Sequence, residues 1–125
     1  MTYPRLMIVL AFQVAFLAGA FAHDGAPDHG GVMNTNPASE VSLELVAAEG
    51  VVTVYLEDHE TLVETKGAKG TLSIVRGDST RTVELLPAGD NKVVARGLTV
   101  ASGDRITATL YMPNGTAILG RFVIK

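Results

Sequence analysis

Three histidines are the residues of this 125-residue chain best suited to chemistry. His23 and His29 lie six residues apart, with Asp24 and Asp28 beside them, and His59 follows much later in an acidic stretch. Neutral imidazole is the commonest ligand for transition metals in proteins, and affinity among first-row divalent ions peaks at Cu²⁺. These five residues therefore form the predicted metal site, with His59 contributing where the N-terminal segment folds back.

A secretory signal peptide is predicted over residues 1–22. Arg5 supplies its positive charge, an apolar stretch follows over residues 6–18, and Ala20-Phe21-Ala22 has the small residues of a cleavage site. Cleavage after Ala22 makes His23 the new N-terminus, so that its α-amine and ring Nδ1 can chelate one ion. A tetragonal set of nitrogen and oxygen ligands suits Cu(II) better than Zn, with Zn and Ni as alternatives. Without cleavage, the segment is instead a single membrane anchor.

Ordinary interpretations of the same histidines stay open. Short polar arms of exported proteins often contain a histidine or two without a function, and His59 by itself is typical of a surface loop. A dense tract of alternating histidines would be a much more specific signal than two in seven residues.

Composition excludes several classes of function. Removal of residues 1–22 leaves 103 residues with 9 basic and 13 acidic side chains, a net charge of −4. This balance disfavours nucleic acid and anionic membranes as partners, and no membrane span remains after the signal is removed. The chain has no cysteine and no G-x-S-x-G motif, so nucleophilic catalysis lacks its usual residues and we expect no enzyme.

The fold is predicted to be all-β. Residues 23–39, rich in Gly, Pro, Asn and Asp, are expected to be a flexible arm, and residues 40–125 to be one β-domain. Seven alternating apolar segments with regular turn signals favour an immunoglobulin-like β-sandwich of about seven antiparallel strands. A barrel is the alternative, and an eighth short strand is possible at residues 61–64. Asn114-Gly115 predicts a type I′ hairpin turn.

Residues 39–46 and 51–58, the second ending in Val-Tyr-Leu-Glu-Asp, carry a resemblance. They resemble the N-terminal accessory β-domain of periplasmic adaptor (membrane-fusion) proteins of heavy-metal efflux pumps, and small free-standing periplasmic proteins of Proteobacteria. Relatives of this kind often have a His-rich segment before the β-domain, matched here by His23 and His29. A weaker similarity is to small periplasmic copper carriers that begin with histidine, where only His23 matches. The resemblance implies a periplasmic location and components of a metal-efflux system as partners.

Two hypotheses follow. The first is a periplasmic metal-binding accessory protein, linked to metal resistance or efflux, that holds Cu(II), Zn or Ni on its arm. The second is a non-catalytic structural or protein-interaction module, in which exposed strand edges accept a partner and the arm is a plain linker.

Overall fold

The computed structural model describes residues 26–125, and the predicted signal peptide lies outside them. Within this range the chain forms strands and turns and no helix. The nine strands are β1 (Val32–Met33), β2 (Ser42–Ala48), β3 (Val51–Asp58), β4 (Thr61–Leu62), β5 (Lys69–Arg76), β6 (Ser79–Pro87), β7 (Lys92–Arg96), β8 (Arg105–Tyr111) and β9 (Ala117–Val123). Each of the seven predicted strands is present, β4 takes the place of the possible eighth, and β1 was not predicted.

The strands form one antiparallel sheet in the order β1-β2-β3-β7-β6-β5-β8-β9, and β4 pairs with the end of β3. Strand β6 joins the two halves of this sheet. Most of its length pairs with β5, and its last two residues, Leu86 and Pro87, pair with β7. The two halves are therefore continuous through β6.

Hydrogen bonds from the residues that follow β1 bring the two ends of the sheet together. The Thr35 amide donates to the Arg121 carbonyl of β9 at 2.7 Å, and the Arg121 amide donates to Asn34 Oδ1 at 2.8 Å. Asn36 Nδ2 also donates to the Leu119 carbonyl at 3.0 Å. The sheet is thus nearly barrel-like. The all-β class is confirmed, whereas the immunoglobulin-like sandwich is not.

Alternation of side chains along the strands builds the interior. In β3, for example, Val52, Val54 and Leu56 are fully buried and the residues between them are more exposed. The same alternation in β5, β7, β8 and β9, together with Leu43 and Leu45 of β2, builds a single apolar core that includes Phe122. The residues of β2 and β3 that point away from the core lie on the outer face of the sheet.

The β8–β9 hairpin differs from the type I′ prediction. Of the two residues predicted at its centre, Asn114 and Gly115, only Gly115 has a positive φ, 87°. The Gly115 amide donates to the Met112 carbonyl at 2.9 Å. A three-residue loop that ends in a left-handed glycine explains this geometry, because only one residue then needs a positive φ. The type I′ prediction was wrong.

An ion pair between the exposed Arg76 and the buried Asp104 fixes the loop before β8. Asp104 is 1% exposed, and its carboxylate accepts hydrogen bonds from Arg76 Nε at 2.8 Å and Nη2 at 2.7 Å. The Ala101 amide donates to the same carboxylate at 2.8 Å. The Arg76 hydrogen bonds, helped by that amide, lower the pKa of Asp104 to about 2. Asp104 therefore stays ionised and anchors the loop at neutral pH.

Residues 26–125 contain no helix long and apolar enough to cross a membrane.

Candidate functional site

A buried carboxylate on the outer face of β2 organises the candidate site. Leu43 and Leu45 point into the core, so Glu44 between them points outward, yet it is only 5% exposed. Residues 28–31 cover it. The amides of Asp28, His29 and Gly31 donate to its two oxygens at distances of 2.8 to 3.1 Å. The N-terminal segment is therefore held to the sheet by a side chain in the middle of a strand.

Two glycines allow the segment to approach so closely. Gly30 has a φ of 70°, a conformation that glycine adopts without steric penalty. A Cβ atom on Gly31 would lie 2.3 Å from the Leu45 carbonyl oxygen, so the position accepts no side chain without displacement of the backbone. Directly after Gly31 the chain pairs with β2 as strand β1. Residues 28–36 of the predicted flexible arm thus contact the sheet, and its flexibility stays a prediction.

The imidazole of His29 is held on two sides. Its ring stacks on Tyr55 with the centroids 3.7 Å apart and the planes 6° from parallel, and its Nδ1 lies 3.0 Å from Glu44 Oε1. Burial opposes ionisation of Glu44, but hydrogen bonds from the Gly31 amide and from His29 outweigh it and lower the pKa of this carboxyl. An ionised carboxylate can only accept, so Nδ1 donates, and the tautomer with its proton on Nδ1 has the lone pair on Nε2.

Three further carboxylate side chains line the same cleft as this ring. Asp28, His29, Glu57 and Glu60 line a cleft of about 190 Å³, which Leu62 and other side chains of β2–β4 complete. Partial burial raises the pKa of Glu57, and the neighbouring Asp28 and Glu60 carboxylates raise it further. The cleft therefore carries a negative potential that a cation would relieve.

Glu60 reaches this cleft from a strained turn. His59 and Glu60 are the two central residues of the β3–β4 hairpin and have φ values of 47° and 69°. Left-handed conformations are uncommon for residues with side chains of this kind. The turn places Glu60 among the lining residues of the cleft.

The structure brings together only part of the predicted ligand set. Asp28 and His29 share the cleft, whereas His23 and Asp24 lie outside the described residues. His59 does not line the cleft; its side chain is 83% exposed and its Nδ1 lies 2.5 Å from Asp58 Oδ1. A role for His59 as a ligand stays a prediction.

Residues 26–125 contain no group of three or more His, Asp or Glu side chains that could hold a metal ion.

Sequence reasoning did not identify Glu44, Tyr55, Glu57 or Glu60. Glu44 has the alternation of a solvent-facing strand residue, and nothing local indicates that residues 28–31 cover it. The sequence contains one signal, since His29 is followed directly by two glycines, which permit a close approach of the backbone. A buried hydrogen bond between distant segments is not visible in such short patterns.

Comparison of the chain with family models, curated proteins and solved structures finds no match. The resemblance to efflux-adaptor accessory domains therefore stays a prediction, and functional arguments rest on the geometry around His29.

Proposed function

We propose that this protein is an exported, non-enzymatic accessory protein that binds a divalent transition metal, Cu(II) in the first place, with His29 as the fixed ligand. A periplasmic location and a link to metal resistance or efflux belong to the same proposal. Zn and Ni are the alternative metals. The observation that carries it is the hydrogen bond between His29 Nδ1 and the buried Glu44 carboxylate.

That hydrogen bond has the form found around metal-bound histidines. A ligating histidine almost always donates its second ring N–H to a carboxylate, a carbonyl or a water, which fixes the tautomer and the direction of the ring. Here Glu44 supplies the carboxylate, and the stack on Tyr55 restricts the ring further. His29 Nε2 is thus the nitrogen available to a metal.

Electrostatics of the cleft favour a cation over an anion or a neutral ligand. The carboxylates of Asp28, Glu57 and Glu60 line the same cleft as the ring, and the repulsion that Asp28 and Glu60 exert on Glu57 falls when a positive ion enters. Cu(II) accepts a mixed set of imidazole and carboxylate ligands in tetragonal geometry.

The α-amine and imidazole predicted at His23 would be close enough in the chain to reach His29. His23 is six positions before His29, and six residues span at most about 20 Å when fully extended. Since residues 28–31 are held by Glu44, only a short stretch must fold back. A site built from the His23 amine and ring together with His29 Nε2 would have three nitrogen donors.

Calorimetric titration of the exported protein with Cu²⁺, combined with electron paramagnetic resonance, tests this proposal. His29→Gln removes the fixed ligand, and His59→Gln is the matched control because it removes an exposed histidine outside the cleft. A third variant, His23→Gln, removes the ring nitrogen of the predicted terminal chelate. We expect His29→Gln and His23→Gln each to weaken binding by at least about tenfold, and His59→Gln to leave it unchanged.

Equal affinities for the wild type and His29→Gln would contradict the proposal, as would the absence of any stoichiometric copper binding. Loss of copper affinity in His59→Gln alone would indicate that the metal binds at the β3–β4 turn and not at His29.

A further inference from the structure

A second concave surface lies at one end of the barrel, apart from the His29 cleft. It is a groove of about 580 Å³ between the start of β2, the connection from β3 to β5, and the β8–β9 hairpin. It shares no lining residue with the His29 cleft. Its volume falls within the range of roughly 300–1,000 Å³ that is typical of small-molecule sites.

The lining of the groove is apolar where it meets the core. Val41, Val63 and Met112 are half-buried and pack against the core cluster, and Ile118 beneath them is 7% exposed. Pro113 extends this surface along the hairpin. An apolar body of a few carbon atoms would cover side chains that are otherwise in contact with water.

The charged residues of the groove are mostly acidic. The groove is lined by three acidic residues, Glu40, Asp58 and Glu64, and by one basic residue, Lys66. Asp58 is paired with His59, but the ion pairs among residues 26–125 include neither Glu40, Glu64 nor Lys66. Within the described residues, the carboxylates of Glu40 and Glu64 thus form no ion pair with a basic side chain.

We infer that this groove binds an amphiphilic cation, a small molecule whose apolar chain covers Val41, Val63 and Met112 and whose ammonium group lies between Glu40 and Glu64. Charge complementarity selects the cation, because an amphiphile with a carboxylate would meet the same two carboxylates and be repelled. A purely hydrophilic amine would leave the apolar surface uncovered. Both parts of the ligand are therefore needed.

Titration of the isotope-labelled exported protein with three probes, followed by NMR, tests this inference. The probes are octylammonium below its micellar concentration, octanoate with the same chain length and opposite charge, and ethylammonium with the charge but little apolar surface. We expect saturable shifts of the amides of Val41, Val63 and Ile118 with octylammonium only.

A charge variant sharpens the test. Glu40→Gln with Glu64→Gln should weaken octylammonium binding by a factor of about 2 to 30, the range for two exposed ion pairs. Glu49→Gln with Glu84→Gln is the matched control, because it removes two exposed carboxylates elsewhere on the chain.

Several outcomes would overturn the inference. Equal binding of octylammonium and octanoate would show an unselective apolar surface, and equal binding of ethylammonium would show a simple charge effect. No saturable shift with any probe would show that the groove takes no such ligand. Shifts of the same amides that depend only on protein concentration would identify a second copy of the chain as the occupant.

Discussion

Replacement of Glu44 by glutamine should release the N-terminal segment from the sheet while the barrel stays folded. The carboxylate accepts from three backbone amides and from His29 Nδ1, and both of its oxygens are used. A glutamine amide has only one oxygen. In one orientation its NH₂ group faces the Gly31 amide. In the other orientation it faces the Asp28 amide and the imidazole, so a donor faces a donor either way.

The magnitude follows from that mismatch. A buried donor without an acceptor destabilises by about 1–3 kcal/mol, a factor of roughly 5 to 150 in the docking equilibrium. Loss of the negative charge also weakens the hydrogen bonds that remain, because charge-assisted hydrogen bonds are about twice as strong as neutral ones. The segment can escape the penalty by moving into water, so the free energy of global unfolding falls by no more than the free energy of docking.

Amide hydrogen exchange measured by NMR is the appropriate assay, with Glu84→Gln as the control because Glu84 is an exposed glutamate on a strand. Exchange at Asp28, His29 and Gly31 should accelerate about 5- to 150-fold in Glu44→Gln, while the core amides of β3 stay protected. Unchanged exchange at these three amides would refute the reasoning, since it would mean that the carboxylate does not hold the segment.

Three further variants examine neighbouring contacts. In Gly31→Ala an added Cβ would lie 2.3 Å from the Leu45 carbonyl oxygen, so β1 must move away and exchange at position 31 should rise; native exchange there would disprove the close approach. Tyr55→Leu removes a ring stack worth about 0.5–1.5 kcal/mol, and the imidazole proton resonances should lose their ring-current shift while the fold persists. The pKa of the Asp104 carboxyl is about 2, below its ordinary 3.8, so its contribution to stability is complete above about pH 4 and is lost as the pH falls toward 2. Urea unfolding of the wild type and Asp104→Asn should differ at pH 6 and converge near pH 2, whereas a constant difference would contradict this assignment.

Strand positions could be predicted from the sequence because they depend on local alternation. Seven apolar-alternating segments became β2, β3 and β5–β9, and the buried residues of β3, β8 and β9 are those on the apolar face. The approach of the two ends of the sheet to each other was less predictable. Whether the ends of such a sheet meet depends on side-chain hydrogen bonds such as the one from Arg121 to Asn34, which join residues 87 positions apart.

Of the predicted ligand residues, only Asp28 and His29 lie in the candidate site that the structure describes. His29 and Asp28 are chemically conspicuous, whereas the group that fixes them, Glu44, has the same alternation as any solvent-facing strand residue. Strand β1 has two residues, too few for a periodicity, and it forms where the glycines let the chain approach Leu45. Such contacts between distant segments decide the site and leave little trace in the local sequence.

The proposed metal binding would be coupled to docking of residues 28–31 on the sheet, and two measurements on Glu44→Gln can separate the two effects. A metal that binds only the docked conformation has an apparent dissociation constant equal to its intrinsic value divided by the docked fraction. Hydrogen exchange gives that fraction, so it fixes in advance how much copper affinity the variant should lose. Affinity that falls further than the fraction requires would show that Glu44 also raises the basicity of the His29 ring, as partners of metal-bound histidines do. Affinity that stays constant while docking is lost would remove His29 from the ligand set, because a ring released from Tyr55 and Glu44 could not bind as well as one held in place.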